Sequence, residues 1–542
     1  MLGAKPGHES GSVKESPPQG PVREEEYGHP VGMEGPGTLR QDRVIYWDCY
    51  HEVKYIESTL PQQVKILRNV SRTAGEWTHG SKKDRLRKYM TIETKSGKGL
   101  NRAALPMISL TIPIILENSF RILVSSVDTF MLSSWSQKSV AAVGLIGQYT
   151  FLIQILFNVI CIGTSIVISQ YLGAKRDKEA GQVTQASMVM VSLVAVAIWV
   201  AVLLGGNALL GRYSIEPEVR KYAWQYLSIY GGVGAFFVAF SMLQGTILRA
   251  YGYTRDAMYI SFAANIINVI GNSISLYQPF GIPIFGVTGV AISSVVSQAA
   301  ACGLLAWRIK IRPDVHFPFR GISKVPAAIY RVILKIGVPT AGENLAYNTA
   351  QIAIMAMVST FGTWAMSSMV YTQTIVRFVM VSAMSIGAAV QIKTGYFVGA
   401  KQPEAAYHRL YRYQAIGTMF SVGLILIVNL IKGPIIGIFT DVPEIMEMTS
   451  TLLVFSIYLE FGRSLNLVTI SALKGAGDVK FPVLFGICSM WGIMVLGSYL
   501  FGVRAGFGLV GIWLSIGTDE TIRGFVMLGR WKSKRWMAKA LV

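Results

Sequence analysis

From residue 104 onward, apolar stretches of about 20 residues alternate with short polar loops, twelve times in succession. A helix of about 20 residues spans the hydrocarbon core of a bilayer. The predicted fold class is therefore an all-α membrane protein with twelve transmembrane helices. The stretches fall near 104–132, 140–170, 183–206, 221–247, 257–278, 285–307, 333–360, 367–396, 414–431, 448–471, 482–501 and 507–529. Composition agrees, with 52% of the 542 residues hydrophobic and 15% charged, against about 25% charged in an ordinary soluble domain.

The chain carries a net charge of +20. A basic balance suits nucleic acid as well as a membrane, so the position of the charges decides. The loops after the even-numbered stretches hold 21 Lys and Arg, and the other loops hold 6. Basic loops stay on the cytoplasmic side, which predicts a multi-pass cytoplasmic-membrane protein with both termini in the cytoplasm. The same loops account for most of the charge without a nucleic-acid partner.

Residues 1–103 are polar and rich in Pro, Gly and charge, and predict a disordered extension. Met90 offers an alternative start, so residues 1–89 are in question. The four cysteines, Cys49, Cys161, Cys302 and Cys488, lie far apart, and the histidines fall in the N-terminal region or in predicted loops. Neither set forms a metal or disulfide pattern. GEWTHGSK (75–82) misses the order of a phosphate-binding loop. Transport driven by an ion gradient is the expectation, with no cofactor and no enzyme activity.

The chain repeats itself. TIPIILENSF (111–120) returns as GVPTAGENLA (337–346), and YLGAKRDKEA (171–180) as FVGAKQPEAA (397–406), both 226 residues on. LRAYGYT (248–254) returns as LKGAGDV (473–479), and FGVTGVAIS (285–293) as FGLVGIWLS (507–515), at offsets of 225 and 222. Each unit holds six stretches, an even number, so the units are parallel repeats related by an axis along the membrane normal. The organisation predicted is an N-terminal half at 104–307, a cytoplasmic linker at 308–332, a C-terminal half at 333–529 and a basic tail at 530–542. A substrate cavity is expected between the halves near the midplane.

Within the first stretch lies PIILENSFRILVSSVDTF (113–130), with Glu117, Arg121 and Asp128. At 100° per residue the three fall within about 40° on one face. A charge at mid-bilayer costs about 3 kcal/mol, so this stripe should face protein or a wet cavity. Glu117 and Arg121, at i and i+4, can neutralise each other, which leaves Asp128 as the available carboxylate. Glu460 with Arg463 and Asp519 with Arg523 have spacings that predict structural ion pairs. Arg377 has no helical partner and is expected to meet Glu343 or Glu460. An added 226 carries Glu117 onto Glu343, but Arg121 onto Tyr347 and Asp128 onto Ile354. An ion site on this stripe would exist only in the N-terminal half. Glu117, Glu343 and Tyr347 are candidates for the central cavity, and the stripe reads as net acidic.

VDTFM (127–131), IGTSIVISQYLGAKR (162–176), LQGTILRAYGYTRDAM (243–258), FGVTGVAISS (285–294) and GRSLNLVTISALKGAGDVKFP (462–482) together resemble the multidrug and toxic compound extrusion (MATE) family. The resemblance covers about 104–535. It implies a cation-coupled (H⁺ or Na⁺) antiporter that exports amphiphilic, often cationic compounds by alternating access. It also implies that Asp128 takes part in cation coupling, with Asn268, Asn272 and Ser294 as its polar companions on the fifth and sixth helices. Na⁺ at Asp128 is one of the two ions it allows. Some members have a second acid where this chain has Asn272, and some sodium-coupled members a Glu where it has Tyr347. The partners expected are a small amphiphilic substrate and membrane lipids, with function as a monomer. A flippase for a lipid-linked precursor is the alternative within the same superfold.

Overall fold

The computed structural model describes residues 102–277, 286–315 and 325–542. The expectations for residues 1–101, Met90 among them, and for the middle of the linker lie outside the described residues. Those residues form twelve long helices and no strand. They are α1 Met107–Trp135, α2 Gln137–Gly173, α3 Asp177–Leu210, α4 Pro217–Ala250, α5 Thr254–Tyr277 and α6 Gly286–Ile311. The second half holds α7 Ala327–Ser359, α8 Thr363–Gly399, α9 Pro403–Leu430, α10 Pro443–Gly475, α11 Lys480–Arg504 and α12 Gly508–Lys532. Ten are long and apolar enough to cross a membrane. The other two, α7 and α12, carry the polar runs GENLAYN (342–348) and TDETIR (518–523) in their middles.

Several helices outrun the apolar stretches, because hydropathy marks only the part that would sit in hydrocarbon. Proline at the first turn starts α4, α9 and α10, where its fixed φ suits a helix and its missing N–H is not needed. Thus α9 begins at Pro403, and His408 stands on a helix rather than in a loop. In α4, Leu227–Val233 is a π-helical segment, a local widening of the helix often found at functional sites.

The sequence echoes mark helix ends. After α2 and α8, the Lys of each G-A-K adopts the left-handed region, Lys175 at φ 59° and Lys401 at φ 57°. The next amide reaches back to a carbonyl of the last turn: Arg176 N to Tyr171 O at 2.9 Å, and Gln402 N to Phe397 O at 2.8 Å. These are C-terminal caps of the six-to-one kind. Gly252 and Gly477 do the same after α4 and α10. All four caps lie at one end of the bundle, here called the basic end.

There the two halves meet. A Cβ on Gly173 of α2 would collide with the Tyr396 carbonyl of α8, and one on Gly399 of α8 with the Gln170 carbonyl of α2. The two contacts are exchanged by the 226-residue repeat. Tyr396 donates to Ala250 O at 2.6 Å, and Lys393 Nζ to Ala103 O and Leu105 O at 2.6 and 2.7 Å. The chain end closes the same region. Trp536 stacks on Trp531, and Leu541 N donates to Gln170 Oε1 at 2.9 Å while Gln170 Nε2 donates to Gly475 O at 2.9 Å.

Candidate functional site

A cavity of about 650 Å³ opens inside the N-terminal half, lined by α1, α2, α4, α5 and α6. The larger space that holds the charged stripe is formed within one six-helix unit. Glu117, Arg121 and Asp128 all line it, as one face of α1 requires. A smaller crevice of about 200 Å³ shares Glu117, Arg121, Thr246 and Arg249 and continues to Ala388 and Gln391 of α8, between the halves.

Asp128 is half-buried on the wall of the cavity. Asn272 Nδ2 donates to its Oδ1 at 2.9 Å. Asn268 satisfies its neighbours in one amide orientation. Its Nδ2 then donates to Asp128 Oδ2 at 3.1 Å, and its Oδ1 accepts from Ser294 Oγ at 3.2 Å. The spacing i, i+4 puts both asparagines on one face of α5, and both are buried. The four residues Asp128, Asn268, Asn272 and Ser294 are thus brought together. Asn272 Oδ1 is buried and accepts no hydrogen bond. An oxygen in that condition, beside a carboxylate, suits a cation or a proton donor. Tyr230 in the π segment of α4 and Tyr226 just before it line the same cavity.

At the other end of the stripe, Glu117 accepts from Arg121 Nη2 at 3.1 Å and from Arg249 Nη1 at 3.0 Å. Arg249 belongs to the last turn of α4, not to the loop in which its charge places it by sequence. Two acids and two arginines therefore line the cavity: the stripe on α1 is net acidic, and Arg249 of α4 balances it. Glu343 repeats the arrangement with Lys474 Nζ, at 2.6 Å. The basic residues Arg249 and Lys474 are 225 apart and the acids 226 apart, so the repeat carries whole ion pairs. That regularity was the signal in the sequence that could have found both partners.

Glu343 and Tyr347 do not line the cavity of the N-terminal half, because they belong to the other unit. Glu343 is buried on Lys474, and the Tyr347 hydroxyl accepts from Gln351 Nε2 at 2.9 Å. In the C-terminal half Glu460 pairs with Arg463, and Asp519 pairs with Arg523 at 2.6 Å. Glu520 joins them, 3.2 Å from Arg523 and bonded by Asn466 Nδ2 at 2.8 Å. Arg377 stands on the exposed face of α8, while Glu343 and Glu460 are met by Lys474 and Arg463 instead.

A family model described as MatE matches residues 113–274 and 339–500, two segments that begin 226 residues apart. The chain is 37% identical to "Uncharacterized transporter YisQ" of Bacillus subtilis (strain 168), over 80% of this chain and 95% of that one. It is 23% identical to "Probable multidrug resistance protein NorM" of Thermotoga maritima, over 80% and 94%. Among solved structures, "Outward-facing conformation of a multidrug resistance MATE family transporter of the MOP superfamily" superposes with a TM-score of 0.75 at 21% identity, over 82% of this chain and 99% of that one. That likeness shows the fold.

Proposed function

The chain belongs to the MatE family of membrane transporters, and from that premise we propose that it is a cation-coupled antiporter exporting amphiphilic, drug-like compounds. Asp128 is the coupling residue. The observation that carries this reading is a carboxylate on the wall of a 650 Å³ cavity, held by two buried asparagines beside an oxygen that accepts no bond.

The chemistry follows from the donor set. A carboxylate that accepts from two amides and faces a cavity can hold a cation. A proton would sit on Asp128 itself. Na⁺ prefers oxygens, and Asp128 with Asn272 Oδ1 and Ser294 Oγ offers them. When the ion leaves, the cationic end of a substrate can take its place. Competition of that kind couples the two movements, because each ligand binds best when the other is absent. The basic end faces the cytoplasm in this reading, as its excess of Lys and Arg supports. The family resemblance favours substrates that are often cationic, whereas a cavity with two charges of each sign does not select for a lone cation.

Asp128→Asn removes the charge and keeps the shape. Purified protein in vesicles, with a pH gradient and a Na⁺ gradient imposed separately, tests it. Export by the parent should follow one gradient, and the variant should lose it while melting at an unchanged temperature. Undiminished export by the variant would refute the assignment.

A further inference from the structure

Four charged side chains line the cavity: Glu117, Arg121, Asp128 and Arg249. They are not spread evenly. Glu117 is buried, with 4% exposure, and takes hydrogen bonds from both arginines. Arg249 is further occupied by Thr246 Oγ1 at 3.2 Å, and its side chain is 23% exposed. The Arg121 side chain is 59% exposed and bonds Glu117 through Nη2. A guanidinium has five N–H donors, so most of this one is turned to open space. One carboxylate against two guanidiniums leaves this end of the cavity with one positive charge in excess. Asp128 lies seven residues along α1, about 10 Å away, and is held by its own amides. The cavity is bipolar, with a carboxylate near one end and an under-used guanidinium near the other.

We propose that the exported substrate is a zwitterionic amphiphile, its cationic group directed at Asp128 and its anionic group, a carboxylate or phosphate, bound by Arg121. The proposal rests on the antiporter reading and names its substrate class. The cationic group competes with the coupling ion for Asp128, which antiport needs. A purely anionic substrate would bind better with the ion present, and would be coupled in the wrong sense. The anionic group gains a fork of N–H donors that matches a carboxylate or phosphate geometrically. A purely cationic substrate would leave Arg121 facing a like charge. Arg121 also lines the crevice between the halves, so the same fork meets the anionic group at both places.

A matched pair of dyes tests this: tetramethylrhodamine, which carries a free carboxylate, and its methyl ester, which is a simple cation. Both are followed in phosphatidylcholine vesicles containing the full chain. The parent should favour the acid, and Arg121→Gln should lower transport of the acid relative to the ester by about tenfold, the least that a lost charge-assisted hydrogen bond removes. Arg121→Lys should recover part of the ratio. A parent that moves the ester as well as the acid, or a ratio unchanged in Arg121→Gln, overturns the proposal. If neither gradient drives either dye, the antiporter reading fails by itself. Fluorescence anisotropy of the dyes on solubilised protein then decides: about tenfold weaker binding of the acid to Arg121→Gln upholds the anion site, and equal binding overturns it. Inhibition by phosphatidylglycerol added to the vesicles would assign the guanidinium to lipid headgroups and also overturn the proposal.

Discussion

Glu343 and Lys474 show what the repeat preserves at the scale of a residue. Both are buried, with side-chain exposures of 9% and 11%, and 2.6 Å apart. Breaking such a pair from one side strands a charge and costs about 3–5 kcal/mol, while replacing both partners with neutral groups is often close to neutral. Glu343→Gln should therefore lower the melting temperature in detergent more than Glu343→Gln combined with Lys474→Met. A double variant as unstable as the sum of its singles would show that the pair has no mutual role. The carboxylates of these pairs were legible in the sequence, because charge inside an apolar stretch stands out. Their basic partners were not. Arg249 and Lys474 sit where hydropathy falls away, so they counted as loop residues, and they meet their acids across more than 130 positions of chain.

At the scale of helices, α2 and α8 touch backbone to backbone at Gly173 and Gly399. A valine at either place cannot be absorbed by a rotamer change, since the obstruction is a carbonyl. Gly399→Val should part the two helices at the basic end. A cysteine at Ser169, fully buried in the parent, should then react with a maleimide in detergent solution, where in the parent background it reacts hardly at all. Equal labelling in both backgrounds would mean that the helices accommodate the side chain without separating. The caps next to these glycines explain why G-A-K recurs. Each needs a residue at positive φ immediately after the helix, and the repeated spelling was visible before its geometry was. Helix number and order were equally legible, because apolar length and the repeat are local properties. The cavity was not, because which faces of five helices turn toward one another is decided by packing and leaves no periodic trace.

Across the whole molecule, the halves share a fold and differ in chemistry. The N-terminal half has Asp128 and its amides around a cavity, while the C-terminal half has Ile354 at the equivalent place, fully buried. In the proposed reading, one unit holds the ion on this stripe and the other does not. The chain end ties the two together through Leu541 and Gln170. Removal of residues 535–542 should lower the melting temperature, since Trp536 is fully buried and deleting a buried tryptophan side chain costs about 3–5 kcal/mol. It should also raise labelling at Ser169→Cys with both glycines intact. Unchanged labelling would reduce the tail to local packing on α12. The seam that this tail closes has a mechanical consequence. Surfaces that mesh through interlocked side chains must withdraw each tooth before they slide. A face of bare backbone at Gly173 and Gly399 has no teeth. Hydrogen bonds from Lys393, Tyr396 and Gln170 cross the seam, each of which water can replace at a net cost of about 1 kcal/mol, and Ile392 and Tyr396 of α8 pack into the core of the N-terminal half beside them. If the halves rock as alternating access requires, the backbone contact at Gly173 and Gly399 parts without any side chain leaving a socket there.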